Sequence, residues 1–122
     1  MTERHLRYGI VGCGMMGREH ICNINLLDNA SIAAILEPDA DMRSTAAKLA
    51  PDATFVEDVS AMAQRDDIDA LVIASPNHLH IDQIEMLSAN PRPLLVEKPL
   101  YTDTAQAARL EAIAASYKAP VW

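Results

Sequence analysis

Basic residues are in deficit in this chain: 10 Lys and Arg stand against 17 Asp and Glu, for a formal net charge of −7. Phosphate-backbone binding draws on Lys and Arg patches, so the balance argues against nucleic acid as the main partner and against anionic membrane surfaces. Long apolar runs are missing too. None approaches the roughly 18–20 residues a membrane span needs, and the polar start Met1-Thr2-Glu3-Arg4-His5 has no apolar signal region. Only Cys13 and Cys22 are present, too close in sequence to staple the fold, and they are read as reduced thiols of a cytoplasmic protein. Aromatics make up only 4% of the chain, so Ala, Leu and Ile must carry the core. There is no internal repeat, linker or low-complexity segment. With 122 residues, half of them hydrophobic, the chain suffices for one folded domain, residues 1–122.

What is present is an alternation. Apolar runs over Leu6–Val11, Ser31–Glu37, Thr54–Val56, Asp69–Ala74 and Leu94–Val96 read as strands. Helical patterns lie between and after them, over Met15–Leu27, Asp39–Leu49, about Val59–Arg65, from Ser75-Pro76-Asn77 onward, and after Thr102 or Asp103. Leu110, Ile113 and Tyr117 mark the inner face of the last helix, and Pro120-Val121-Trp122 opens a sixth strand. Repeated βα units imply an α/β fold: a doubly wound, mostly parallel sheet of strand order 3-2-1-4-5, with the sixth strand truncated.

The first strand runs straight into Gly12-Cys13-Gly14-Met15-Met16-Gly17, a G-x-G-x-x-G loop that opens a helix. In that context one glycine permits the tight turn, one lets the backbone approach a pyrophosphate, and one lets helix and strand pack closely. The helix aims its unsatisfied N–H groups and positive dipole end at the phosphates. Cys13, near a helix N-terminus, invites a reactive thiol, although a small loop residue is the simpler reading. Glu37 follows Gly17 by the roughly 20 residues expected of a ribose-binding acid and ends the second strand. A carboxylate there accepts from the ribose hydroxyls and repels a 2′-phosphate, which favours NAD over NADP. Arg43 is placed to meet a 2′-phosphate or stack on adenine, against the plainer reading of a surface arginine.

Two further segments reach the same sheet edge. Ser75-Pro76-Asn77-His78-Leu79-His80 follows the fourth strand, beside the reversal in strand order where ligands bind. His78, His80 and Asp82 raise a metal site, but histidines two apart do not share a helix face and no second cluster exists, so no metal is expected. One of the two histidines is expected to line the cleft and the other to be solvated. Glu97-Lys98-Pro99 ends the fifth strand, with Pro99 holding Lys98 out of helical conformation.

Together Gly9–Gly17, Ala74–His80 and Val96-Glu97-Lys98-Pro99 resemble the Gfo/Idh/MocA oxidoreductases, in order and at the expected separations across nearly the whole chain. The resemblance implies a nicotinamide cofactor, a sugar, polyol or related hydroxyl substrate, and a homo-oligomer when a second domain is present. It implies that Ser75, Pro76, Asn77 and His80 border the cofactor, that Glu97 and Lys98 lie near the nicotinamide ribose, and that Lys98 is catalytic. Members carry a second, substrate-binding domain, so the chain looks like the cofactor domain alone, cut within strand six. Two other readings compete: a non-catalytic nucleotide-binding or sensing module on the same domain, and a methyltransferase-like sheet for S-adenosylmethionine. The third glycine's spacing and the Glu-Lys-Pro turn count against the latter.

Overall fold

A computed structural model describes residues 3–122. Five strands, β1 (Leu6–Val11), β2 (Ala30–Leu36), β3 (Thr54–Val56), β4 (Ala70–Ile73) and β5 (Leu94–Val96), form one sheet. All four pairings are parallel and the order is β3-β2-β1-β4-β5, the doubly wound arrangement expected. The central strand β1 pairs Val11 with Leu36 on one side and Ile73 on the other, which brings three strand ends to one edge. Beyond β5, Val121 forms an isolated parallel bridge to Leu94, and Trp122 N–H donates to Leu94 O (2.9 Å).

Five helices cover the sheet: α1 (Met15–Asn25), α2 (Ala40–Leu49), α3 (Val59–Ala63), α4 (His80–Leu87) and α5 (Thr104–Ser116). Ile21, Ile24 and Ala46 of α1 and α2 pack with Ile10, Ile35 and Val72 on one face. Met62, Ile81, Ile84, Leu87 and Ile113 of α3, α4 and α5 pack with Val11, Leu71, Ile73 and Leu94 on the other. Successive strand residues point to opposite faces, so the continuous apolar runs of β1, β2 and β4 feed both layers.

Several boundaries differ from expectation. Helix α1 ends at Asn25 rather than Leu27, because Leu26 and Leu27 are exposed and have no core to join. Helix α3 ends at Ala63, two residues before Arg65. After β4, Asn77–Leu79 forms a single 3-10 turn and the α-helix begins only at His80. Asp39 caps α2 through Met42 N–H (2.9 Å), and of Thr102 and Asp103 it is Asp103 that caps α5, through Gln106 N–H (3.0 Å). Among the described residues no helix is long and apolar enough to cross a membrane.

Candidate cofactor site

The loop after β1 is shaped by contacts that leave no room for side chains. Gly12 has φ +89°, a backbone conformation that L side chains rarely adopt, and a Cβ there would lie 2.6 Å from Ser75 N and Cα. Gly17, on the inner face of α1, would place a Cβ 2.0 Å from Gly12 O. Gly14 is different. Its φ is −67°, and the nearest atom to an added Cβ is Met42 Sδ at 4.0 Å. The packing around position 14 does not itself require a glycine, and the space above it is open.

That space belongs to a cleft of about 600 Å³ at the C-terminal edge of the sheet. Gly12, Gly14, Met15, Met16, Glu37, Ser75 and Pro76 line it, so it unites most of the residues named from sequence. Leu79, Gln83 and Met86 of the 3-10 turn and α4, with Met42 of α2 and Glu57 and Asp58 before α3, add to the walls. Sequence reading missed these walls; only the position of Glu57-Asp58 just after a strand signalled an edge residue. Helices α1 and α4, which open on the cleft, have no capping side chain, whereas aspartates cap α2, α3 and α5. The first amides of α1 are therefore free for an anion, and the helix dipole favours one.

Glu37 is 8% exposed, yet both carboxylate oxygens are engaged. Oε1 accepts Cys13 N–H (2.9 Å) and Oε2 accepts Asp39 N–H (3.0 Å). One bond closes the glycine loop and the other fixes the turn into α2, and each oxygen keeps a lone pair for the cleft. The reactive reading of Cys13 is overturned. Its side chain is buried, and burial together with the Glu37 carboxylate pushes the thiol up to about 12, so it stays protonated and inert. Ser75 Oγ donates to Gln83 Oε1, tying the β4 edge to α4.

Other named residues lie outside the cleft walls. Gly17 is buried beneath the loop, Arg43 is exposed on α2, and Asn77 is exposed on the 3-10 turn. The expectation that one histidine of the His78–His80 pair lines the cleft is corrected. His78 is exposed, as expected of one of the pair, but His80 is wholly buried and absent from the cleft walls, because its ring is taken up between two loop carbonyls. His80 Nδ1 lies 2.7 Å from Pro99 O and Nε2 lies 2.9 Å from Ser75 O. Among the described residues no three His, Cys, Asp or Glu side chains converge as metal ligands.

The Glu97-Lys98-Pro99 turn follows β5 at the same edge, with Glu97 N–H donating to Ile73 O (2.9 Å) and the Lys98–Pro99 bond cis. Glu97 Oε1 accepts from His20 Nε2 of α1 at 2.6 Å. Lys98 is exposed and has no hydrogen bond or ion pair among the described residues. Sequence reading took His20 only as part of the helix over Met15–Leu27. A polar ring on the same inward stripe as Gly17, Ile21 and Ile24 was the signal that it has a partner inside.

The comparisons agree with this geometry. The model of a family described as "Oxidoreductase family, NAD-binding Rossmann fold" matches residues 6–122. An inositol 2-dehydrogenase of Corynebacterium glutamicum (strain R) is 37% identical over 109 residues, covering 88% of this chain and 32% of the relative. A myo-inositol dehydrogenase of Lactobacillus casei, solved in complex with NAD(H) and myo-inositol, superposes with a TM-score of 0.85 at 26% identity, covering 95% of this chain and 36% of that one. The WlbA dehydrogenase of Bordetella pertussis, solved with NADH and UDP-GlcNAcA, gives a TM-score of 0.85 at 27% identity, covering 100% and 36%. The chain thus spans about a third of the length of the curated relatives it matches. Its glycine loop, the acid ending β2 and the Glu-Lys-Pro turn stand in one sheet edge, and across residues 6–122 the chain belongs to the Gfo/Idh/MocA oxidoreductase family.

Proposed function

We propose that this chain binds a nicotinamide dinucleotide, NAD in preference to NADP, and forms the cofactor half of a dehydrogenase acting on a sugar or polyol hydroxyl. The observation that carries the reading is Gly14: a glycine the fold does not need, open to a cleft that also holds the Glu37 carboxylate. The amides of Gly14, Met15 and Met16 at the uncapped start of α1 would hold the pyrophosphate. Glu37 would accept from the adenosine ribose hydroxyls and repel a 2′-phosphate. Arg43, exposed and outside the walls, is the weakest member of the set. Ser75 and Pro76, with Asn77 beside them, form the wall toward the nicotinamide end.

Bound nicotinamide supplies a hydride acceptor for oxidation of the substrate alcohol. Glu97 and Lys98 are not among the cleft's walls; the turn that carries them follows β5 at the same sheet edge, and on this reading it would stand at the nicotinamide end. The Lys98 ammonium, exposed and without a partner among the described residues, would be free to donate a hydrogen bond to the substrate oxygen and hold it in place for hydride transfer. The inositol and nucleotide-sugar ligands of the relatives support a polyhydroxylated substrate. Residues beyond this third of the relatives' length would complete the substrate wall and a homo-oligomer, and two free cysteines support a cytoplasmic setting.

A fluorescence titration tests the reading. NADH emission should rise and saturate on addition of the chain, and S-adenosylmethionine should not displace the nucleotide. No binding of NADH, or displacement by S-adenosylmethionine, refutes it.

A further inference from the structure

The geometry points to His20 as a positioning residue for Lys98, acting with His80 in a two-histidine clasp on the Glu97-Lys98-Pro99 turn. This inference rests on the reading that Glu97 and Lys98 border the nicotinamide end of a bound dinucleotide.

The turn has few other supports. It follows a three-residue strand, Lys98, Pro99 and Leu100 are exposed, and Lys98 is untethered. Two side chains hold it, one before the lysine and one after. His20 Nε2 donates to Glu97 Oε1 at 2.6 Å, from a helix whose first turn lines the cleft. The pair is partly shielded, with side-chain exposures of 20% and 25%, so water competes with it less than at an open surface. On the other side, the wholly buried His80 lies 2.7 Å from Pro99 O and 2.9 Å from Ser75 O. Both of those partners are carbonyl oxygens, and the ring sits between them.

These bonds make a closed circuit. Gly12 packs on Ser75, Ser75 O meets His80, His80 meets Pro99 O, and Glu97 meets His20 on the helix that the glycine loop opens. The lysine turn is thereby indexed to the floor of the cofactor cleft by two helices that both begin there. His20 has a second effect. Glu97 is covalently next to Lys98, and a carboxylate released from His20 would be free to pair with the neighbouring ammonium. Engaged by His20, it leaves Lys98 free to face a substrate.

The experiment uses the 122-residue chain and reads nucleotide binding at both ends of the ligand. NADH and ADP-ribose are titrated against wild type, His20→Leu and His20→Gln; ADP-ribose lacks the nicotinamide. His20→Leu should raise the NADH dissociation constant about fivefold, the effect of losing one hydrogen bond of ordinary net strength, and leave ADP-ribose unchanged. His20→Gln, which keeps a donor for the Glu97 carboxylate, should restore most of the NADH affinity. In a Glu97→Ala background His20→Leu should have no further effect. Equal losses for both ligands, no rescue by glutamine, or an undiminished effect in the Glu97→Ala background overturns the positioning role. Wild type that binds neither ligand refutes the cofactor reading itself, a distinct outcome. His80, being wholly buried, is left intact because its replacement endangers folding.

Discussion

Two glycines five and two positions after Gly12 should respond to the same substitution in opposite ways. In Gly17→Ala the new Cβ would sit 2.0 Å from Gly12 O, where real Cβ atoms essentially never come within 3.0 Å, so loop and helix must part by at least 1 Å. Gly12 cannot yield easily: its N–H donates to Leu36 O (2.8 Å), and it packs against the Ser75 backbone. Overpacking at such a site costs about 3 kcal/mol, offset by about 1 kcal/mol for replacing a helical glycine with alanine. The net loss of about 2 kcal/mol lowers Tm by about 8 °C for a domain of this size. Gly14→Ala meets nothing closer than 4.0 Å and needs no positive φ, so Tm should stay within about 3 °C of wild type. Its methyl instead fills the approach to the α1 amides, and NADH affinity should fall at least about tenfold, or 1.4 kcal/mol. Thermal melts followed by circular dichroism, with NADH titration by fluorescence, check both halves. Gly14→Ala binding NADH as wild type does, or Gly17→Ala melting with wild type, refutes the division between a glycine kept for the fold and one kept for the ligand.

Glu37→Ala should weaken NAD binding about tenfold and NADP binding much less, because on the proposed reading the carboxylate would accept from the ribose hydroxyls and repel a 2′-phosphate; equal losses in parallel titrations would remove it from the ribose site. A brief treatment with a maleimide at pH 8, read by intact mass, should label the exposed Cys22 and spare Cys13, whose thiol is pushed up to about 12 by burial; double labelling of folded protein contradicts that burial. Asp69, which accepts from Arg7 and Arg4, is lowered from its usual 3.8 to about 2 chiefly by the hydrogen bond from Arg7. A depressed carboxylate adds stability above its unfolded value and loses it as pH falls through the folded one. The stability gap between wild type and Asp69→Asn, measured by urea unfolding, should therefore be full at pH 6 and close between about pH 4 and pH 2; a gap independent of pH would show that the ion pair does not set it.

The strands and the sheet order were legible because buried parallel strands are written as continuous apolar runs, and β1, β3 and β5 begin and end where those runs do. The glycine loop was legible for the same kind of reason: its constraints are local. What stayed hidden depends on pairs far apart in the chain. His20 and Glu97 are 77 residues apart and Glu37 and Cys13 are 24 apart; each pair meets only because β1 lies between β2 and β4. Arg92 is the plainest case. In Pro91-Arg92-Pro93 it reads as loop punctuation, yet it is buried, and its guanidinium donates to the carbonyls of Met62, Ala63, Arg65 and Asn90. No periodicity announces a charged side chain that donates to carbonyls at the end of one helix and in its own loop.

The double anchoring of Glu37 bears on how a ligand would meet this surface. Fixing a glutamate side chain removes up to about 2 kcal/mol of rotamer entropy, and here that loss is incurred when the glycine loop and the α2 turn close on the two oxygens. An arriving nucleotide finds the acceptor already immobile, so association should proceed with little rearrangement of this loop and a small entropic penalty at the acid. The same rigidity narrows what evolution or engineering can do at position 37: a shorter or neutral side chain would change the ligand preference and slacken the loop in one step, so a switch of cofactor would need a second substitution to recapture Cys13 N–H and Asp39 N–H.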